Sequence, residues 1–447
     1  MTLNEHIYGE VQVYNFDQNQ WQTVATLGDS TVIAAGTRRQ CCEDGAFGIG
    51  GCFAGTMNLT CKLTGLTRYQ VKGARVLLRR WFDGENNQGQ NAPLEGIFWV
   101  TDAQKTGNIF TLSGQDAMLW ADVSSYNHTT AEDGLSGGIY GFGEFLAQLH
   151  PGTGVTLQAW MLYAVQLANI LAKRQTGMTA DLLTWRDYSA SENGGIDYNN
   201  AYIWTDSTTE DTAQPAFFWL YTDDGVYKDD NPRSFLRWLA QAAGGFLTVA
   251  KDGALTLRQF VQPSLGDAVI RMQDMAQDGE VADYRLQLYN TAVVYDDAPA
   301  AVAGGAPPAA NGLVPYRITA ESNPFLNGFR GYQSERAGQF RFSPVYGLAM
   351  SMYHYGAQRN VEARPFAVRV HTADRYELGQ RVQFPDFRDL GESETHAFNS
   401  VITSVEWTFR GGTALSCGGE DSRIMADCVR ATKADKAVRE LRSRFKA

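Results

Sequence analysis

Apolar and polar residues alternate along much of the N-terminal quarter of the chain. In MNLTCKL, Met57, Leu59, Cys61 and Leu63 alternate with Asn58, Thr60 and Lys62. That period of two puts successive side chains on opposite faces of a half-buried strand. GEVQVYN, TVIAAG, GTMNLTCKL, ARVLLRRWF, EGIFWVTDAQ and NIFTLSGQDA are each bounded by Gly, Asn or Asp and read as strands. Their spacing suits an antiparallel barrel or sandwich over residues 1–120. GENNQGQNAP, at 84–93, reads as a polar hairpin loop between two of them.

The period then changes. Leu157, Trp160, Met161, Ala164, Leu167, Ala168 and Leu171 recur at helical spacing, and GFGEFLAQL predicts a helix before the break at Pro151 and Gly152. Gln158, Gln166 and Asn169 interrupt the 155–172 run, which makes it a core or interface helix rather than a membrane span. Further on, Asn231 can cap a helix with Pro232 in its first turn, where a missing N–H costs nothing. Phe235, Leu236, Leu239 and Ala243 form its face, and Gly244-Gly245 end it. FLTVA and ALTLRQF then predict a hairpin turning at Lys251-Asp252-Gly253. DDAPAAVAGGAPPAAN, at 296–311, reads as a linker. A second β-rich region follows over 312–418, with helical residues intruding near Leu348 to Ala357; within it Val401, Thr403, Val405, Trp407 and Phe409 share one face. From 419 to 447, Ile424, Cys428, Ala431, Ala434, Val438, Leu441 and Phe445 step by three or four, an amphipathic helix suited to docking on a partner or a sister subunit. The predicted fold is mainly β with an α+β insertion: a β-barrel domain at 1–120, a helical and α+β region at 121–310 holding the helix-hairpin of 231–260, a second β-barrel domain at 312–418 and a C-terminal helix.

Composition sharpens this outline. Aromatics are 12% of the 447 residues and 45 are glycine, which favours strands and tight turns. Charged residues are only 19%, low for a surface solvated on every side, and point to extensive contact with partners. A net charge of −11 argues against a grip on nucleic acid, which needs clustered Lys and Arg. Residues 430–447 oppose the trend, with seven Lys/Arg and two Asp/Glu. The start, MTLNEHIYGEVQVYNF, has neither the basic nor the apolar region of a signal peptide, so the six cysteines are expected as free thiols.

Four of those cysteines lie in RRQCCEDGAFGIGGCFAGTMNLTC, beside a run of glycines. Cys41 and Cys42 are adjacent, Cys52 and Cys61 are distant, and no histidine is near, which is not the knuckle spacing of a zinc site. GAFGIGGCFAG lacks the Lys of a phosphate loop and leads into a strand rather than a helix, so neither phosphate-binding motif fits. What remains is a glycine-rich turn into a strand, with Cys61 as a small buried apolar residue; the doubled thiols Cys41-Cys42 have no assigned role. The histidines His6, His128, His150, His354, His371 and His396 form no HExxH pair, and no GxSxG elbow occurs. Asp223/Asp224 and Asp229/Asp230 sit in a turn-rich loop, where Asp ordinarily caps turns, and DDGVYKDD lacks calcium-loop spacing. No catalytic, metal or cofactor residue is assigned. Trp81-Phe82, Phe98-Trp99 and Phe217-Phe218-Trp219 could stack on sugars but suit cores and interfaces better.

Several stretches, in chain order, resemble the tail hub proteins of bacteriophages, the baseplate hubs of contractile tails and the tail-tip proteins of siphophages. TRRQCCEDGAFGIGGCFAGTMNLTCKL, GARVLLRRWFDG and LEGIFWVTDAQKTGNIFTLSGQDAMLW are similar to the family's opening barrel. NPRSFLRWLAQAAGGFLTVAKDGALTLRQF looks like its helix-and-hairpin insertion, and ITAESNPFL with PFAVRVHTADRYELGQRVQF like its second barrel. The resemblance implies two tail-tube-like barrels per chain and a homotrimer whose pseudo-sixfold ring adapts a sixfold tube to a threefold tip. It implies a structural virion protein without cofactor or enzymatic activity, assembled in the host cytoplasm. Its partners would be tube, distal-tail or baseplate, tape-measure and spike proteins, with DNA crossing an acidic lumen in transit. The competing readings are a tail-associated peptidase or wall-degrading enzyme and a receptor- or carbohydrate-binding tail module.

Overall fold

The computed structural model describes residues 4–42, 50–122, 125–128, 138–141, 155–186, 217–218, 232–233, 236–237, 240, 245–258, 260, 266–276, 279–281, 291–296, 314–319, 331–334, 363–388 and 394–418. All of the helix predicted over GFGEFLAQL except Gly141, which is strand, lies outside the described residues, as do the helices predicted near 348–357 and over 419–447 and nearly all of the 296–311 linker. So do the acidic pairs at 223–224 and 229–230.

The first region holds β1 (Glu5–Asn15), β2 (Gln20–Gly28), β3 (Val32–Gln40), β4 (Thr56–Lys62), the short helix α1 (Arg68–Val71), β5 (Arg75–Phe82), β6 (Leu94–Thr106) and β7 (Ile109–Gln115). All six strands expected there are present. Most bury alternate residues, as in β5, where Val76, Leu78, Arg80 and Phe82 point inward, whereas β6 buries Phe98, Trp99 and Val100 in succession. β6 is long because it serves two neighbours: its first half pairs with β5 and its second with β7, with a register shift between Val100 and Asp102.

The middle of the chain supplies β8 (Ser125–His128), β9 (Gly138–Gly141), β10 (Val155–Thr156), helix α2 (Leu157–Thr176), β11 (Thr184–Arg186), β12 (Phe217–Phe218), and the hairpin of β13 (Phe246–Val249) and β14 (Ala254–Arg258). α2 buries Met161, Ala164, Leu167, Ala168 and Leu171, the predicted stripe. Its Asn169 is buried too, and is satisfied by Leu182 N and Leu183 N at 2.9 Å each and Leu183 O at 2.6 Å. Among the described residues no helix is long and apolar enough to cross a membrane. Pro232, Arg233, Leu236, Arg237 and Ala240 are helical, as expected for the segment before the hairpin.

Further along come β15 (Asp267–Val269), β16 (Glu280–Val281), β17 (Thr291–Asp296), β18 (Val314–Thr319), β19 (Gly331–Ser334), β20 (Phe366–Val370), β21 (Arg381–Phe387), β22 (His396–Val401), β23 (Ser404–Thr408) and β24 (Gly412–Cys417). The fold is mainly β, and the pairings among the described residues do not close a barrel. One 11-stranded sheet runs β16-β20-β24-β23-β3-β4-β7-β6-β5-β1-β2. The antiparallel join of β23 to β3, from Ser404↔Gln40 to Thr408↔Gly36, makes the two β regions one continuous surface. Two apolar cores lie beneath it. One holds the inward residues of β1 and β3 to β7 and takes in Trp407 and Phe409 from the second region. The other gathers Phe366, Phe384, Phe387, Phe398 and Leu415 together with Cys41 and Cys42.

Candidate functional surface

The outward side of the sheet, where β23, β3, β4, β7 and the second half of β6 lie side by side, follows directly from the strand alternation. Met57, Leu59 and Cys61 point into the core, so Thr56, Asn58, Thr60 and Lys62 point out. Asn58 stands opposite Gly36 on one side and Ser113 on the other, and Ser113 Oγ lies 3.2 Å from Asn58 Oδ1. Thr111, Thr101, Ser404 and Thr408 extend the surface to both sides. Hydroxyls and amides predominate on it; Lys62, Asp102 and Ile109 are exposed there too, and in register Glu406 stands beside Arg38.

Beneath this face the β regions and the insertion hairpin are fastened by buried charges. Arg80 binds Glu95 (2.9 Å) and Glu5 (3.3 Å), all three nearly inaccessible. Glu5 also accepts from Trp407 Nε1 (2.7 Å) and Arg410 N (2.6 Å), tying β1 to the second region. Glu377, in the loop between β20 and β21, receives Arg258 Nη1 at 2.9 Å, Arg39 Nη1 at 3.4 Å and Lys251 Nζ at 3.8 Å. Lys251 reaches Glu95 as well, at 3.4 Å. Burial alone would raise the Glu377 carboxyl, but Arg39, Lys251 and Arg258 outweigh it and hold the group at about 2. Burial lowers the Lys251 ammonium, with Glu95 opposing. The network therefore joins β1, β3, β5, β6, the insertion hairpin and the second region through mutually dependent contacts.

The cysteine and glycine stretch belongs to the same junction. Gly50 N donates to Gly245 O (2.7 Å), Leu247 N donates to Gly51 O (2.8 Å), and Cys52 bridges to Leu247. A side chain at Gly51 would collide with the Cys41 carbonyl, so the close crossing requires glycine. The described part of the stretch, residues 50–55, leads into strand β4 and also docks the insertion hairpin, which local periodicity could not reveal. The thiols form no single cluster: Cys61 lies in the first core, Cys52 Sγ meets Met118 Sδ at 3.5 Å, and Cys41, Cys42 and Cys417 belong to the second core, the sulfurs of Cys41 and Cys42 4.0 Å apart. Burial pushes Cys52, Cys61 and Cys417 up to about 12 and Cys41 well above its ordinary value, so none is primed as a nucleophile. Asp116 is buried beside this crossing. Burial lifts its carboxyl to about 7 against the N–H groups of Gly55 and Met118 and the charges of Arg233 and Arg39.

His6 bridges Asp29 (2.6 Å) and Asp83 (2.8 Å) at the start of β1, far in sequence from His371 and His396. Among the described residues no group of His, Cys, Asp or Glu is arranged to hold a metal ion. Phe82, Phe98 and Trp99 are core residues rather than a sugar platform, and Trp81 stacks on His6 at 5.3 Å.

No family model matches the chain, and no curated protein matches it. Solved structures similar to it include phage tail and baseplate proteins. The 43 kDa tail protein of prophage MuSo2 from Shewanella oneidensis is 12% identical, with 92% of this chain and 97% of that one covered and a TM-score of 0.45. A tail protein from Neisseria meningitidis MC58 is 10% identical, with 93% and 97% covered and a TM-score of 0.45. A chain of the P2 virion baseplate in its activated conformation is 11% identical, with 92% and 98% covered and a TM-score of 0.30.

Proposed function

We propose that the chain is a structural subunit of a bacteriophage-type tail tip, a hub that acts by assembly and carries out no turnover. The observation that carries this reading is the β3–β23 join. It fuses two β regions of one chain edge to edge and leaves an unbroken face of short polar side chains. The hub-like stretches occur in the same order along the chain. Three copies, each contributing two such regions, would close a ring with pseudo-sixfold character around that face. DNA passing it would meet mainly hydroxyls and amides, with Glu406 and Asp102 offsetting Arg38 and Lys62, rather than a cation cluster able to grip phosphate. The ring would carry 3 × −11 = −33, and acidic groups elsewhere on it would add a repulsive field that keeps DNA moving. Its partners on this reading are the tail tube, the distal-tail, tape-measure and spike proteins, and its place is the virion, after assembly in the host cytoplasm.

The test is mass in solution. A ring predicts 3 × 49.3 kDa, about 148 kDa; a monomer at every concentration would overturn it. Hydrolysis of peptidoglycan or peptides, abolished by a single Asp or His substitution, would overturn the non-enzymatic part.

A further inference from the structure

His6, near the start of β1, stands between two carboxylates. Its Nδ1 lies 2.6 Å from Asp29, in the turn between β2 and β3, and its Nε2 lies 2.8 Å from Asp83, just past the end of β5. An ionised carboxylate only accepts, and a neutral imidazole carries a single N–H. Both contacts are therefore hydrogen bonds only when both ring nitrogens are protonated. Trp81, opposite His6 in the β1–β5 register, stacks on the ring at 5.3 Å, and an indole face also favours a cation. The bonds to Asp29 and then Asp83 raise the imidazole above its ordinary 6.5 and outweigh the opposing effect of burial.

The other charges around the ring are engaged elsewhere. On the same face Arg79 donates to Ala92 O at 2.6 Å, and Glu10 accepts from Gln12 at 2.8 Å and Thr23 at 3.0 Å. β2 has no charged residue. Beyond Asp83, Glu85 meets Arg375 at 3.3 Å, and Arg410 lies over the Phe409 ring at 4.7 Å. Glu5 and Arg80 are turned inward.

This group of contacts sits where the sheet is incomplete. β1 pairs with β5 from Glu5 onwards but with β2 only from Tyr8 onwards. On the β2 side Asp29 takes the place of a strand partner, its Oδ1 accepting from Ile7 N at 2.9 Å. On the other side Asp83 N donates to Asn4 O at 3.1 Å, and Asn4 Nδ2 donates to the Asp83 carboxylate at 2.9 Å. Glu5, between Asn4 and His6, receives Trp407 Nε1 and Arg410 N from the second region. What holds His6 therefore holds the residue that ties β1 to that region.

We propose that His6 is a pH-dependent clasp. As an imidazolium it binds the start of β1 to the β2–β3 turn and to the end of β5; on losing a proton it keeps one bond at most and loosens the Glu5 tie to the second region. Because the imidazole is raised on folding, its contribution is complete below 6.5 and is lost as pH rises through its folded value.

The test is hydrogen exchange of the full chain, with and without His6→Gln, read by mass spectrometry as protection relative to the intrinsic rate at each pH. Between about pH 6 and about pH 9, wild-type protection over residues 4–8 and 404–412 should fall by about threefold to tenfold, the range open to one or two partly exposed charged bonds. His6→Gln should sit at the lower level throughout. The difference between the two proteins separates His6 from Asp116, which both retain. The ring titration of His6, followed by NMR and assigned by its loss in His6→Gln, should have a midpoint above 6.5 that moves down in Asp83→Asn. Equal protection in both proteins at every pH, or a His6 midpoint at or below 6.5, overturns the clasp. A change confined to residues 4–8 overturns its link to the second region.

Discussion

Glu377→Gln removes one charge from the most heavily shared position in the junction. The carboxylate faces three cations at 2.9, 3.4 and 3.8 Å, and its side chain is only 20% exposed. Its depression from 4.5 to about 2 corresponds to about 3 kcal/mol of preference for the charged form in the folded chain. Breaking a buried ion pair from one side costs roughly 3–5 kcal/mol, which agrees, because the partners left behind remain desolvated. The midpoint of thermal unfolding at pH 7 should therefore fall by roughly 3–5 °C for a chain of 447 residues. The pH dependence is the sharper readout. A carboxylate with a lowered folded pKa contributes stability above its unfolded value, and that contribution fades as pH falls from 4.5 towards 2. The gap between wild type and Glu377→Gln, followed by calorimetry or urea unfolding, should thus be full at pH 7 and close in acid. A gap below about 0.5 kcal/mol at pH 7, the range of surface charges, would refute the reasoning; so would a gap that does not change with pH.

Asp116 should behave in the opposite sense. Its folded pKa is raised from 3.8 to about 7, so its contribution is greatest in acid and declines as pH rises through that interval. Asp116→Asn should flatten the stability profile there by roughly one proton; an unchanged slope would show that another group titrates. Gly51→Ala should destabilise by about 2–3 kcal/mol, since its side chain meets the Cys41 carbonyl and the shift would be felt at the Leu247 contact; a neutral result in urea unfolding would count against the tight crossing. Cys41, Cys42, Cys52, Cys61 and Cys417 are buried free thiols, and a thiol-specific reagent should leave them unmodified until the protein unfolds. Rapid native labelling of more than one thiol would contradict the described packing, because only Cys428 lies outside it.

Strands with one face on the core and one in water announce themselves by alternation, which is why β4, β5 and β7 were legible from sequence alone. β2 was not. It is an edge strand, and its pairing with β1 shifts register at Val24, so QWQTVATLG keeps no consistent inward set. VITSVEWTF does present Val401, Thr403, Val405, Trp407 and Phe409 to the interior, yet it serves two strands. The chain leaves β22 at Ile402, whose N–H and carbonyl bond Gln380 O and Gly379 N, and enters the long sheet at Ser404.

The ion network was hidden for a different reason. Arg39, Arg80, Glu95 and Glu377 come from distant parts of the chain, and each alone resembles a solvated surface charge. A signal was nonetheless present: Arg80 keeps phase with Val76, Leu78 and Phe82, and Arg39 with Ala35 and Thr37, so both charges occupy inward positions. A charge in phase with the core demands a buried partner. Parity indicates that such partners exist; only the assembled fold identifies them.

The most direct test of the proposed hub is its position in a particle. Assembled tails carrying the protein with a bound antibody fragment or gold label, viewed by electron microscopy, should show label at the distal end of the tail. Label along the tube, at the head or absent from intact tails would contradict the account.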